Sequence, residues 1–325
     1  MKKIVPLLLL FVSLSVFAQD NYYTIPEGYE ESISAENYKY LVDLSVEAIS
    51  KDYKIKSIDS GEVTLEEGQD YTVVNLHNLI YRCADIPKEY WQETISSHFA
   101  SMKESVNDQQ QLDPEDYESL TEYFSIRIYP DYYFDNYGGT ENFIVRTDLE
   151  GTLSVLMFDL PSTFTPVTKE IFDSWGKFAD EVFKVAQQNV NKQEFYKATQ
   201  TFQVNDNEIE LHFAENEDYA ASMALDLEAN APEFIGDWGS VVAIPNKGII
   251  NVCEVSKENP LDYVLFIQRM KSVVEQFYNE HPQSVSTDFY WYYQGKFTKI
   301  MVEESAGETK VFSPMGLTEL MSQDD

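Results

Sequence analysis

Between residues 208 and 255 the apolar residues change their spacing twice, so the chain must change element with them. Ile209, Leu211 and Phe213 alternate with Glu208, Glu210 and His212, the period of a strand with one wet face. Ala220, Met223, Ala224 and Leu227 then recur at i, i+3, i+4 and i+7, a helical stripe for which Asp218 is a suitable cap. The stripe is mostly alanine, so the helix can lie close to a sheet. Val241, Val242, Ala243 and Ile244 form an unbroken apolar run, short enough for a buried strand. Pro245-Asn246-Lys247-Gly248 turns the chain, and residues 249–255 return as a second strand. Gly248 is expected in the left-handed region, and Asp218 and this turn are expected to be chiefly structural, with Lys247 contributing little.

The rest of the chain repeats this mixture. Tyr38, Leu41, Val42, Ser45, Ala48 and Ile49 share one face of a helix that Ser34 can cap. Strands are predicted at 53–58, 63–65 and 71–83, which places His77 in a strand. Trp91, Ile95, Phe99 and Met102 mark a helix that runs out in the polar tract 107–111. Strands follow at 123–129, 143–146 and 153–158, with Asp159 at a strand end, then short helices at 168–175 and 178–189. A hairpin is expected through 205–207, a long helix with Tyr263, Phe266, Met270, Val273 and Phe277 on one face, and a last hairpin across 294–296. Strands come mostly as hairpins with helices between them. That pattern predicts an α+β fold with mixed or mainly antiparallel sheets. The organisation expected is a signal peptide over 1–18, an α+β subdomain over 19–106, a candidate linker over 107–116 and a second α+β domain over 117–325.

Lys2 and Lys3, the apolar run 4–14 and then Val16-Phe17-Ala18 form the pattern of a secretory signal, with cleavage expected after Ala18. The run is far shorter than the ~20 residues of a spanning helix. An exported protein, periplasmic or secreted, is therefore expected. Cleavage would lower the basic residues from 23 to 21 against 56 acidic ones. A chain this acidic repels nucleic acid and anionic lipid and favours positive partners, although acidic surfaces also simply keep proteins dispersed. Cys83 and Cys253, the only two cysteines, can pair after export or remain buried free thiols.

No sequence signal marks a catalytic centre. The chain lacks His-Glu-x-x-His, Gly-x-Ser-x-Gly and the glycine loops that hold phosphates or dinucleotides. Its four histidines, His77, His98, His212 and His281, share no ligand spacing, and His212 is expected to face water. No cofactor and no metal ligand set is assigned. The runs 205–208 and 215–218 carry oxygen ligands without the order of a calcium loop. Asp159, Asp218 and Ser222 can converge at one sheet edge, and with Asn246 and Lys247 they form the candidate ligand site. Ser222 lacks an adjacent base in sequence, so it reads as a small packing residue. Tyr132, Tyr133, Phe134 and Tyr137 lie together in a loop that can stack on sugars or cover a core edge.

A set of short motifs in order resembles one bacterial family. Glu217-Asp218-Tyr219-Ala220-Ala221-Ser222, then Val242-Ala243-Ile244-Pro245-Asn246, is similar to the Asp-x-aromatic-x-Ala-Ser and Ala-Ile-Pro segments of the YtpQ-like proteins, domain of unknown function 1444. Upstream, residues 74–81 look like that family's Leu-x-Asn-Leu-Tyr strand, and Asp159-Leu160, Trp175-Gly176 and Ala186-Gln187-Gln188-Asn189 fall in family order. Downstream, residues 282–286 and Phe289-Tyr290 resemble its last strand entry. The likeness spans roughly residues 75–299. Two departures stand out: Lys247-Gly248 occupies the place of Arg-Asp, and an export signal is not typical of the family. The resemblance implies no activity. The expected function is a non-enzymatic, exported module that binds a protein or a small ligand. A hydrolase using carboxylates and a calcium-dependent glycan binder are the alternatives.

Overall fold

The computed structural model describes residues 21–323 apart from 85, 136–138, 161, 162, 205, 206, 306 and 307. The predicted export signal, Tyr137 and the first half of the run 205–208 lie outside the described residues. The chain divides into two compact units, Met1–Val106 and Asn107–Asp325.

The first unit opens with α1 (Ala35–Ile49), whose first amides are capped by Ser34 Oγ accepting from the Asn37 N–H. A small antiparallel sheet follows, β1 (Ile55–Asp59), β2 (Glu62–Leu65) and β3 (Val73–Asn75). The strand expected over 71–83 ends early. Asn75 Oδ1 accepts from the His77 N–H at 2.8 Å, and the chain turns there into α2 (His77–Ala84). His77, Tyr81 and Cys83 are therefore helical. The helix α3 (Trp91–Gln111) continues through the polar tract that reads as a linker. Tyr38, Leu41, Leu76, Leu79, Ile80, Trp91 and Ile95 form the core of this unit.

The second unit contains two sheets. After α4 (Tyr117–Leu120) come β4 (Phe124–Pro130), β5 (Val145–Arg146), β6 (Thr152–Leu160) and β7 (Thr163–Pro166), where β6 pairs antiparallel with the other three. Next are α5 (Lys169–Ser174) and α6 (Ala179–Val190); Val182, Phe183 and Ala186 of α6 pack on Phe124, Ile126 and Leu156. The larger sheet uses β8 (Tyr196–Val204) and β9 (Asn207–Glu215). The short helices α7 (Ala220–Met223) and α8 (Leu227–Asn230) follow, then the hairpin β10 (Ser240–Asn246) and β11 (Ile249–Glu254). The helix α9 (Asp262–Glu280), strands β12 (Phe289–Tyr293), β13 (Lys296–Ser305) and β14 (Glu308–Phe312), and α10 (Met315–Gln323) complete it. The strand order is β14-β13-β12-β10-β11-β9-β8, and every neighbouring pair is antiparallel. The fold is α+β with antiparallel sheets, as the hairpin pattern predicts.

Strand β10 explains this architecture. All seven of its residues are buried because both faces of the sheet are covered. Val241 and Ala243 meet Tyr263, Phe266, Ile267 and Met270 of α9 on one face. Val242 and Ile244 meet Ala220, Met223, Ala224 and Leu227 on the other. Each such side chain removed from water contributes about 1.5–3 kcal/mol if large and aliphatic or aromatic. The alanine stripe does allow a close approach, yet the helix is not continuous. It breaks into α7, a 3-10 turn at Ala224–Asp226 and α8, and Pro232 follows. Glycine is required at position 239: its φ is +82°, and a Cβ there would lie 2.1 Å from the Tyr292 carbonyl oxygen. Gly248 does not take the left-handed conformation expected of it; a Cβ there would meet atoms at ordinary contact distances of 3.5 Å and more.

Cys83 and Cys253 are both free and buried, the second of the two alternatives the sequence leaves open. Each thiol lies in the apolar core of its own unit. Burial, partly offset by Arg82, pushes the Cys83 thiol up to about 11.

Candidate functional site

The polar cluster of the second unit is built on one buried arginine. Arg127 is the one charged residue of the buried strand β4, and its side chain is only 5% exposed. Its Nη2 donates to Asp218 Oδ1 at 2.7 Å, its Nη1 to Gln283 Oε1 at 3.4 Å, and its guanidinium lies 3.7 Å from the Phe164 ring centre. Lys247 Nζ donates to the same Asp218 oxygen at 2.6 Å. Two cations therefore share one carboxylate oxygen. Arg127 Nε has no hydrogen-bond partner.

Local turns bring these groups together. Asn216, rather than Asp218, holds the turn that leads into α7: its Oδ1 accepts from the N–H groups of Asp218 and Tyr219, both at 2.9 Å, and α7 has no side-chain cap. That frees the Asp218 side chain to point at β4. The β10–β11 turn is held by Asn246 Oδ1 accepting from the Gly248 N–H at 2.9 Å. The Lys247 N–H donates to the Gln283 carbonyl at 3.2 Å, and the Lys247 carbonyl accepts from the Ala221 N–H at 3.0 Å. The turn is thus fixed to both α7 and the segment after α9. Lys247 has a definite ionic partner in Asp218.

A second polar pair adjoins the first. The Tyr219 hydroxyl donates to Asp159 Oδ2, where Asp159 stands near the end of β6. Burial raises the Asp159 carboxyl above its ordinary range, against the opposing pull of the Tyr219 hydrogen bond and of Arg127. Burial also raises the Tyr219 phenol, helped by the Asp159 hydrogen bond. Asp218 behaves in the opposite way. Burial pushes its carboxyl up, but the hydrogen bonds from Lys247 and Arg127 prevail and leave it below its ordinary range. Asp159 and Asp218 are near enough to feel each other's charge. Ser222 comes close but does not join them. It is 1% exposed and its hydroxyl donates to the Ile126 carbonyl, the packing role expected of it.

Beside the cluster lies an open cleft of about 470 Å³. Glu215, Asn216, Glu217, Asn246, Phe277 and His281 line it. The amides of Asn216 and Asn246 are taken by the turns above, whereas the carboxylates of Glu215 and Glu217 have no hydrogen bond or ion pair among the described residues. His281 Nδ1 accepts from the Gln283 N–H at 3.0 Å, so the ring's other nitrogen is the one left for a ligand. Burial, and after it the Lys247 charge, hold the His281 imidazole below its ordinary range. One residue along α9 from Phe277, Tyr278 meets the aromatic loop: its hydroxyl is 2.6 Å from that of Tyr132, which is 58% exposed. In that loop Tyr133 stacks on Tyr129 and is exposed, while Phe134 is buried.

His212 does not face water. It is 4% exposed and stacks on Phe234, because the face of β9 expected to be wet is covered by the segment after α8. No group of three or more His, Cys, Asp or Glu side chains is placed to hold a metal ion among the described residues, and no helix there is long and apolar enough to cross a membrane. Sequence reasoning missed the functional placement of Arg127, Tyr219, Gln283 and the cleft residues Phe277 and His281. Only Arg127 carried a signal, a lone charge inside the apolar run 124–128. No family model, no curated protein and no solved structure matches this chain.

Proposed function

We propose that the chain is an exported, non-enzymatic binding module of the cell envelope, and that the cleft beside α9 is its ligand face. One observation carries this reading. The side chains that could perform chemistry, Asp218, Lys247, Tyr219 and Ser222, are each committed to a partner within the fold, while the adjoining cleft keeps unengaged carboxylates and an aromatic floor. The cluster acts as a frame that fixes the β10–β11 turn, and the turn presents Asn246 and Gly248 at the cleft. The ligand is a small polar molecule or a protein segment carrying basic or hydroxyl groups, since Glu215 and Glu217 supply acceptors, His281 supplies a ring N–H donor and Phe277 supplies an apolar surface. Nucleic acid is disfavoured by the net charge of −33. The ordered motifs from Glu217 to Asn246 support kinship with the YtpQ-like proteins, and the segment over residues 1–18 supports export.

The test is a thermal-shift screen of amino acids, short peptides and mono- and disaccharides against the full chain. A ligand whose shift is lost in Phe277→Ala but kept in Asp159→Asn supports the reading. The second reading, a carboxylate-dependent hydrolase, is favoured by one feature: neighbouring Asp159 and Asp218 have carboxyls displaced in opposite directions, the arrangement of an acid and a base. Turnover of nitrophenyl glycosides or esters that is abolished by Asp159→Asn in a folded protein would put that reading first.

A further inference from the structure

Strand β8 ends the large sheet and pairs only with β9. Its nine residues run opposite residues 215 back to 207 without a register shift, so no bulge twists the edge away. Among the described residues of this unit, no backbone hydrogen bond reaches β8 except from β9. A bare edge of this kind offers free N–H and C=O groups to another strand, and proteins usually blunt it with proline, charge or a covering element. The other end of the same sheet is blunted. Strand β14 has five residues, carries Glu308 and Lys310, and has its Thr309 carbonyl taken by the Gln268 side chain at 3.0 Å. In the smaller sheet, two carbonyls of the edge strand β4 accept from the side chains of Asn189 and Ser222. Strand β8 has none of these devices. It contains no proline or glycine. Its one charged residue, Lys197, is turned to Glu233 at 2.6 Å and to the Asn230 carbonyl at 3.0 Å.

The order of residues along β8 suits a second copy of the same strand. In an antiparallel two-fold pairing that overlaps the whole strand, residue 196 stands opposite 204 and Gln200 faces itself across the axis. Ala198 then faces Phe202, a small side chain against a large one, and Thr199 faces Thr201. Lys197 faces Gln203, so no charge opposes a like charge. Thr199, Gln200 and Thr201, at the centre, are exposed. On β9, Glu208 stands beside Gln203 and Glu210 beside Thr201, on the face that also carries Lys197. Each copy's Lys197 therefore enters the field of the other copy's carboxylates. The whole-chain charge of −33 opposes the approach, and salt screens such repulsion beyond about 8 Å at physiological ionic strength. Pairing between copies therefore strengthens with salt, whereas a basic peptide on the same edge would bind more weakly.

We propose that β8 pairs with β8 of a second copy of this chain, antiparallel about a two-fold axis at Gln200, and joins the two seven-stranded sheets into one. A single strand edge is a small interface, so the pairing is reversible and depends on concentration. Sedimentation velocity of the full chain over a concentration series, at low and at moderate salt, is the test. A monomer–dimer equilibrium that strengthens with salt is expected. Gln200→Lys and Gln200→Glu each set two like charges about 5 Å apart across the axis and should each weaken the dimer about tenfold. An equimolar mixture of the two variants should restore it. Melting curves for both variants establish that they fold. A wild-type chain that stays monomeric at every concentration, whether or not it takes up an added lysine-rich peptide, overturns the proposal. So does a dimer that salt weakens, a dimer indifferent to both Gln200 variants, or a mixture no more dimeric than its components.

Discussion

Removing the Asp218 carboxylate leaves Arg127 as a buried charge with little around it. In Asp218→Ala the guanidinium, 5% exposed, keeps the 3.4 Å contact to Gln283, the face of Phe164 and the weaker attraction of Asp159, but no directly paired carboxylate among the described residues. Breaking a buried ion pair from one side typically costs about 3–5 kcal/mol. Asp218 is 37% exposed, so water screens part of that attraction and can relax into the gap, which reduces the expected cost to about 2–3 kcal/mol. For a unit of this size, that lowers the melting temperature by about 5–10 °C. Lys247→Ala leaves Asp218 still paired with Arg127, so its cost should stay near 1 kcal/mol or less. Arg127→Met combined with Asp218→Ala removes both charges and keeps apolar contact with Phe164, and should cost less than Asp218→Ala alone. The pH dependence has a definite sign. The folded carboxyl of Asp218 lies below its unfolded value, so its stabilisation is present above about pH 4 and is lost as the pH falls through the folded value. Differential scanning calorimetry on these three variants and on Arg127→Met alone reads each quantity. An Asp218→Ala protein melting within about 1 °C of the wild type, or a double variant as costly as its two single changes added, would refute the argument.

Asp159 has the opposite sign. Its carboxyl is raised by burial, so it adds stability below its unfolded value near ~3.9 and loses it as the pH rises through the folded value. Asp159→Asn, which stays neutral, should therefore gain on the wild type between pH 4 and pH 7, and an equal melting difference at both pH values counts against this. Gly239→Ala forces a Cβ onto the Tyr292 carbonyl at a positive φ and should cost at least about 3 kcal/mol, whereas Gly248→Ala should stay within about 0.5 kcal/mol. Equal chemical denaturation midpoints for the two variants would contradict this pair of outcomes. Iodoacetamide without reductant should label neither Cys83 nor Cys253 in the folded protein and both after unfolding; a thiol count below two in the unfolded, unreduced protein would restore the disulfide.

Fold class was legible because hairpins announce themselves locally. The alternation from Glu208 to Phe213, the run from Val241 to Ile244 and the turn that follows it are all short-range features; the first two became strands of the large sheet and the third joins β10 to β11. Errors arose where a partner came from far along the chain. Alternation placed His212 on the opposite face from Leu211 correctly. It could not show that Phe234 would cover that face, so the residue expected in water is stacked and buried. The run 71–83 had the apolar content of a strand. One local hydrogen bond from the His77 amide to Asn75 Oδ1 was enough to turn it into a helix instead.

The same distinction separates the two halves of the candidate site. Asp218 sits at a helix entry and has the chemistry of a cap, so a local reading assigns it to the cap. Asn216, two residues earlier, holds the turn into the helix instead, with a single side-chain oxygen serving two amides, and α7 goes without a side-chain cap. Once the turn is held without it, Asp218 is free to answer a charge ninety-one positions away, on Arg127. A buried arginine without a carboxylate would cost more than a missing cap, so the ion pair is the stronger demand on Asp218. Lys247 then follows from the turn, because the backbone bonds to Ala221 and Gln283 hold its side chain beside the same oxygen. The legible signal for this site was therefore not the acidic residue in the motif but the lone arginine in an apolar strand, which had to find its counter-charge elsewhere.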